Sequence, residues 1–125
     1  MGDGDLILVA DDEAYIVRAL SFVLSKAGYR VITAADGAEA LDRIAGERPR
    51  VAFVDIMMPK LDGYEVCRRV KSDPALSDTH IVIVTAKGQR DDQTRGMALG
   101  ADEYITKPFS PTAVLKLVRR ALECG

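Results

Sequence analysis

The chain has 125 residues, of which 48% are hydrophobic and 29% charged. That length suits one ordinary domain, and those fractions exclude a disordered or fibrous chain. With 17 basic and 19 acidic side chains the net charge is −2, which excludes the strongly basic footprint of a nucleic-acid-binding domain.

The charge is unevenly placed. Residues 1–62 carry 11 acidic and 7 basic side chains, and residues 63–125 carry 8 and 10. The opening MGDGDLILVA lacks the basic and apolar regions of a signal peptide. No apolar run reaches the ~18–20 residues that span a bilayer. A cytoplasmic protein is expected, with no membrane partner and no direct nucleic-acid contact. Met1–Asp5 are expected to be a flexible tail, so that residues 1–125 form a single domain. Cys67 and Cys124 are too far apart for a CxxC motif and are expected as free thiols.

In chain order, the first strand is expected at Leu6–Ala10 and the first helix after it. That helix places Ile16, Leu20 and Leu24 on one face and stops near Gly28. A second strand is expected at Arg30–Ala34, then a helix at Ala38–Ala45 ended by Gly46. The third strand, Val51–Asp55, precedes a helix at Tyr64–Ser72 with Pro74 beyond it. The fourth, Ile81–Thr85, is opened by His80 and followed by a helix at Asp91–Leu99. The fifth, Glu103–Thr106, precedes a helix that opens with Ser110-Pro111, a capping residue and then a proline. Its apolar face carries Val114, Leu115, Val118 and Leu122.

The runs LILVA, VAFVD and IVIVT are apolar on both faces. Such strands belong in a parallel sheet covered on both sides. Five βα units with right-handed crossovers predict a doubly wound α/β fold with a five-stranded parallel sheet. The strand order 2-1-3-4-5, the flavodoxin-like arrangement, is the expected solution, and function then gathers at the carboxyl ends of the strands. Those ends hold Asp11, Asp12 and Glu13, then Asp55, then Thr85, then Lys107 with Pro108.

Three carboxylates in one pocket repel, by about 4 kcal/mol for a pair ~4 Å apart at an effective dielectric of ~20. A hard divalent cation such as Mg²⁺ would offset that, as would the Lys107 ammonium. Each residue has a plainer reading alone: Asp11 or Asp12 as a helix cap, Thr85 as an ordinary strand residue, Lys107 as a surface lysine. Their joint placement at four strand ends is what favours a site. His80, the single histidine, sits at the other end of its strand and is read as a strand-edge residue.

The runs LVADDE, VDIMMPKLDGYE, IVTAKG and GADEYITKPFS resemble the receiver domain of bacterial two-component response regulators (CheY-like). The resemblance runs from about Leu6 to Leu122. It implies that Asp55 is phosphorylated by a sensor histidine kinase or phosphotransfer protein. It implies Mg²⁺ held by Asp12 and Asp55, by Asp11 largely through water, and by the backbone carbonyl of Met57. Thr85 and Lys107 would bind the phosphoryl group, with a cis bond before Pro108 aiming the lysine. Thr85 and Tyr104 would be the switch. Met57 and Lys87 would set phosphoryl lifetime, with Met57 pointing to slow or moderate hydrolysis. No enzyme is expected beyond phosphorylation of the chain itself and its slow reversal.

The output face implied is the fourth helix, fifth strand and fifth helix, where Lys116, Arg119 and Arg120 could meet an effector protein or domain. A homodimer formed on phosphorylation is the other partner considered. Leu117, where dimerising receivers often carry Arg, counts against that mode. The alternatives are a haloacid-dehalogenase-type (HAD-type) Mg²⁺-dependent phosphatase, for which Met57 replaces the required second acid, and the receiver half of a DNA-binding transcriptional regulator. A flavin-binding module would want a Ser/Thr/Gly-rich loop where the chain has Asp11, Asp12 and Glu13. A purely structural relative would usually lack Asp55, Thr85 or Lys107.

Overall fold

The structure is a computed structural model and describes residues 4–86 and 90–124. Strands and helices alternate: β1 (Leu6–Ala10), α1 (Ala14–Lys26), β2 (Arg30–Ala34), α2 (Gly37–Glu47), β3 (Val51–Asp55), α3 (Gly63–Ser72), β4 (His80–Ala86), α4 (Arg90–Ala98), β5 (Glu103–Lys107) and α5 (Pro111–Cys124). The strands form one parallel sheet in the order β2-β1-β3-β4-β5. The doubly wound fold expected from the run of apolar strands is the one the chain adopts.

Alternation along each strand builds two cores. Ile7, Val9, Phe53, Val82 and Val84 face one way, against Ile16, Leu20 and Leu24 of α1 and Val114, Leu117 and Val118 of α5. Leu8, Ala52, Val54, Ile81 and Ile83 face the other way, against Ala40 and Ile44 of α2 and Val66, Cys67 and Val70 of α3. Helix α4 lies on this second face. A methyl group at Gly96 would come 2.1 Å from Ile83 Cδ1, so glycine sets how closely that helix can lie. Burying each of these aliphatic side chains contributes roughly 1.5–3 kcal/mol.

The starts of α2, α3 and α5 follow capping chemistry. Asp36 Oδ1 accepts from the Glu39 N–H at 2.8 Å, and Glu39 Oε1 accepts from the Ala35 N–H at 2.9 Å. Asp62 Oδ1 accepts from the Glu65 N–H at 2.9 Å, and the Ser110 hydroxyl accepts from the Ala113 N–H at 3.1 Å. The Asp36–Glu39 pair is reciprocal, the other two are single caps, and all satisfy amides that a helix start leaves open.

Some boundaries differ from expectation. Gly46 does not end α2, which runs to Glu47 and closes at Arg48 in the left-handed conformation, φ 50° and ψ 60°. Pro49 explains this, because the residue before a proline is kept out of the helical region. Strand β4 takes in His80 and Ala86, and β5 reaches Lys107. Asp5, expected in the tail, is held in place. Asp5 Oδ1 accepts from Arg50 Nη1 at 3.0 Å, and the Asp5 carbonyl accepts from the Arg30 N–H at 3.0 Å. Met1–Asp3 lie outside the described residues. Among the described residues no helix is long and apolar enough to cross a membrane.

Candidate functional site

The sheet order places the ends of β1, β3, β4 and β5 side by side. Asp55 closes β3 and is 5% exposed. Its Oδ1 accepts from the Met57 N–H at 3.0 Å, and its Oδ2 accepts from Lys107 Nζ at 2.9 Å. Both carboxylate oxygens are therefore held. Asp11, just after β1, is also buried. Its N–H donates to the Ala34 carbonyl at 3.0 Å, and its Oδ1 accepts from the Glu13 N–H at 2.9 Å. Asp12 is exposed at the mouth. One oxygen from each of Asp11, Asp12 and Asp55 lies within 4.8 Å of the others.

Lys107 closes β5 and is joined to Pro108 by a cis peptide bond. Its ammonium lies 2.9 Å from Asp55 Oδ2, 3.2 Å from Asp11 Oδ2 and 2.8 Å from Glu13 Oε1. Asp12, Glu13, Tyr15, Ile56, Met57 and Ala86 line the rest of the pocket. The site thus brings together Asp11, Asp12, Asp55, Met57 and Lys107. A separate cavity lined by Arg48, Arg50, Leu76 and Thr79 holds none of these residues.

Thr85 is 1% exposed, and its hydroxyl has no hydrogen-bond partner among the described residues. It follows Val84, whose carbonyl accepts from the Ile56 N–H, so it stands beside the Asp55 turn. Tyr104 is not in the pocket; it is 45% exposed. In the β4–β5 register Ile83 pairs with Tyr104 and Thr85 with Thr106, so Tyr104 and Thr85 share one sheet face. Lys87 lies outside the described residues.

Two readings of single residues need correction. Neither Asp11 nor Asp12 is the N-cap of α1, which is Glu13. Leu117 is not a surface position without its charge: it is 6% exposed and packs into the core. Of the α5 cations, Arg120 is engaged by Glu103 at 2.6 Å, and the same glutamate meets His80 Nε2 at 3.0 Å. His80 is a strand-edge residue, as expected. Cys67 is a free, buried thiol whose pKa burial pushes up to about 11.

The electrostatics are those of a crowded acidic pocket. Burial pushes the Asp11 carboxyl up to about 6; the Asp55 charge adds to that, while the Glu13 amide and Lys107 oppose it. Burial alone would lower the Lys107 pKa. Its hydrogen bonds to Glu13 and Asp55 reverse this and hold it charged. The same Lys107 contact draws the Glu13 carboxyl below its usual range.

Glu13 was visible in the sequence only as one of three consecutive acids, and the sequence carries no sign of a contact across 94 positions.

The residues fit a hard divalent cation. Asp11 Oδ2 is buried and lacks a hydrogen bond of good geometry, although the Lys107 ammonium is 3.2 Å away. It is thus an oxygen with coordinating capacity left over. The donors are all oxygens, the chemistry that Mg²⁺ takes.

Comparison with known proteins agrees. Residues 7–119 match the family model of the response regulator receiver domain. The chain is 46% identical over 116 residues to the alkaline phosphatase synthesis transcriptional regulatory protein PhoP of Bacillus subtilis, covering 93% of this chain and 48% of that protein. It is 41% identical over 117 residues to protein PilG of Pseudomonas aeruginosa, covering 94% of this chain and 87% of that one. It spans about half the length of the first transcriptional relatives it matches.

Among solved structures, the chemotaxis response regulator CheY4 of Vibrio cholerae superposes with a TM-score of 0.88 at 34% identity, covering 94% of this chain and 98% of that one. The receiver domain of the sensor histidine kinase PA1611 from Pseudomonas aeruginosa superposes at 0.89 with 26% identity, covering 96% and 98%. That structure has a magnesium ion coordinated in its active-site cleft. Receiver domains bind Mg²⁺ at an acidic pocket and interact with histidine kinases and effectors. The acidic cluster under Lys107, the parallel sheet that assembles it and the match over residues 7–119 lead to one conclusion: this chain belongs to the response regulator receiver domain family.

Proposed function

We propose that this receiver takes a phosphoryl group on Asp55 from a phosphohistidine of a sensor histidine kinase or phosphotransfer protein, and answers through α4, β5 and α5. The observation that carries this is the state of the Asp55 carboxylate. It is buried, its Oδ1 is fixed by the Met57 amide and its Oδ2 by the Lys107 ammonium. A nucleophile oriented in this way has little rotational freedom left to lose before in-line attack.

In the step itself an Asp55 oxygen forms a bond to phosphorus as the N–P bond breaks. The leaving electron pair stays on the imidazole nitrogen. Lys107 stays charged and gives one of its hydrogen bonds to a phosphoryl oxygen. The Thr85 hydroxyl, without a partner among the described residues beforehand, donates to another phosphoryl oxygen. Asp11, Asp12 and Asp55, with the Met57 carbonyl, would hold Mg²⁺, which when bound would supply neutralisation of the phosphoryl charge.

Movement of Thr85 toward the phosphoryl group opens space on the sheet face it shares with Tyr104. The Tyr104 ring, now 45% exposed, turns into that space and changes the output face. The partners are the phosphodonor and an effector protein or domain in the cytoplasm, and the whole chain acts as one domain. A phosphatase reading is not favoured, because Met57 stands where the second acid would be.

Incubation with acetyl phosphate and Mg²⁺ tests the reading. Intact mass should rise by one phosphoryl group, and excess EDTA should prevent the rise. An unchanged mass with Mg²⁺ present, in protein shown to be folded, would overturn it.

A further inference from the structure

Glu13 occupies the N-cap position of α1, yet its side chain makes no capping hydrogen bond. Glutamate is a poor residue for that position, where Ser, Thr, Asp or Asn would accept from the first-turn amides. The helix thus starts without the side-chain bond that α2, α3 and α5 all have. The Glu13 carboxylate is used elsewhere. Its Oε1 takes a hydrogen bond from Lys107 Nζ at 2.8 Å, a contact as short as the one Lys107 makes to Asp55. Its Oε2 accepts from the Tyr15 hydroxyl at 3.2 Å. Both side chains line the mouth of the phosphorylation pocket.

Resting on the phosphorylation reading above, we propose that Glu13 is a positioning residue of the phosphoryl-transfer site. It holds the Lys107 ammonium at the mouth in the unmodified state and gives it up to the incoming phosphoryl oxygen. The argument is one of competition. Lys107 has three hydrogens and three carboxylates around it. Asp55 must keep its own contact to stay oriented, and Asp11 Oδ2 is poorly aligned for a bond. The bond that the phosphoryl oxygen replaces is therefore the one to Glu13, the most exposed of the three acids. Tyr15 steadies the carboxylate in the orientation that reaches Lys107. Glu13 thereby slows phosphorylation by a small donor, because part of the Lys107 interaction must be broken before it can assist.

Glu13→Ser separates this from a structural role, because serine restores an ordinary N-cap while releasing Lys107. The unfolding midpoint of the metal-free variant should equal or exceed that of the wild type. Its rate of phosphorylation by acetyl phosphate with saturating Mg²⁺ should rise about two- to five-fold, the factor that one partly exposed ion pair supplies. Glu13→Gln, which keeps the shape and removes the charge, should act in the same direction. In a Lys107→Met background the Glu13→Ser effect should vanish, since there is no ammonium left to hold.

If the wild type takes no phosphoryl group, the phosphorylation reading itself fails. If the wild type is modified and both Glu13 variants match it, only the role of Glu13 falls. The role also falls if Glu13→Ser lowers both midpoint and rate, or if its effect persists unchanged without Lys107.

Discussion

A buried hydroxyl with nothing to bond is a standing cost, and Thr85 has one with no partner among the described residues. Leaving a buried polar group unpaired costs about 1–3 kcal/mol. Thr85→Val keeps the shape and removes the group, so chemical denaturation should show the unmodified variant more stable by about 1 kcal/mol. A loss of stability would mean that the hydroxyl has a partner already. Asp11 carries a second residue-level test. Its folded pKa is about 6, against an ordinary value of 3.8. A raised carboxyl pKa adds stability that is complete below about pH 4 and is lost as pH rises through about 6. Two pKa units set an upper bound of about 3 kcal/mol. Metal-free protein should therefore lose stability from pH 4 to pH 7 relative to Asp11→Asn, as read by urea midpoints at each pH. Asp11, Asp55 and Lys107 were legible in the sequence because each closes a strand or directly follows one. Glu13 was not, because its partner lies 94 positions away and nothing local marks the contact. Arg48 was not either, since a non-glycine residue at positive φ shows no periodicity.

At the scale of elements, the turn after β3 decides how Asp55 and Met57 are presented. Two glycines hold it closely. A methyl group at Gly63 would come 2.6 Å from the Asp55 carbonyl, and one at Gly37 would come 1.9 Å from the Leu61 carbonyl. The Gly37 N–H donates to the Pro59 carbonyl at 3.3 Å, and Lys60 Nζ lies 3.5 Å from Asp36 Oδ2. The starts of α2 and α3 thus both pack closely against the turn. Gly63→Ala should cost about 1–3 kcal/mol through backbone displacement and weaken Mg²⁺ binding at least several-fold, measured by calorimetric titration. An unchanged Mg²⁺ affinity would mean the turn is set elsewhere. The strands were readable because LILVA, VAFVD and IVIVT are apolar throughout. Their extent was less so: the addition of Ala86 to β4 and Lys107 to β5 is made by pairing between neighbours, since those two residues are partners in the register.

At the scale of the whole molecule, the strand order turns residues scattered between positions 11 and 107 into one pocket. It also explains the charge asymmetry. Part of the acid surplus in the first half is the pocket, and Lys107 from the second half lies across it. Mg²⁺ held by this pocket would bind the folded arrangement of carboxylates and not the dispersed chain, so it should raise the unfolding midpoint. A hundredfold excess over Kd corresponds to about 3 kcal/mol. The effect should shrink as pH falls toward 4 and the Asp11 carboxyl takes up its proton. A midpoint indifferent to Mg²⁺ at pH 7 would argue against a metal site. The most direct measurement of the central claim is intact mass and peptide mapping after acetyl phosphate and Mg²⁺, on wild type and Asp55→Asn side by side. The wild type should gain one phosphoryl group, mapped to the peptide containing Asp55, and the variant none. A phosphoryl group that still appears on Asp55→Asn, or that maps to another residue of the wild type, would contradict the assignment.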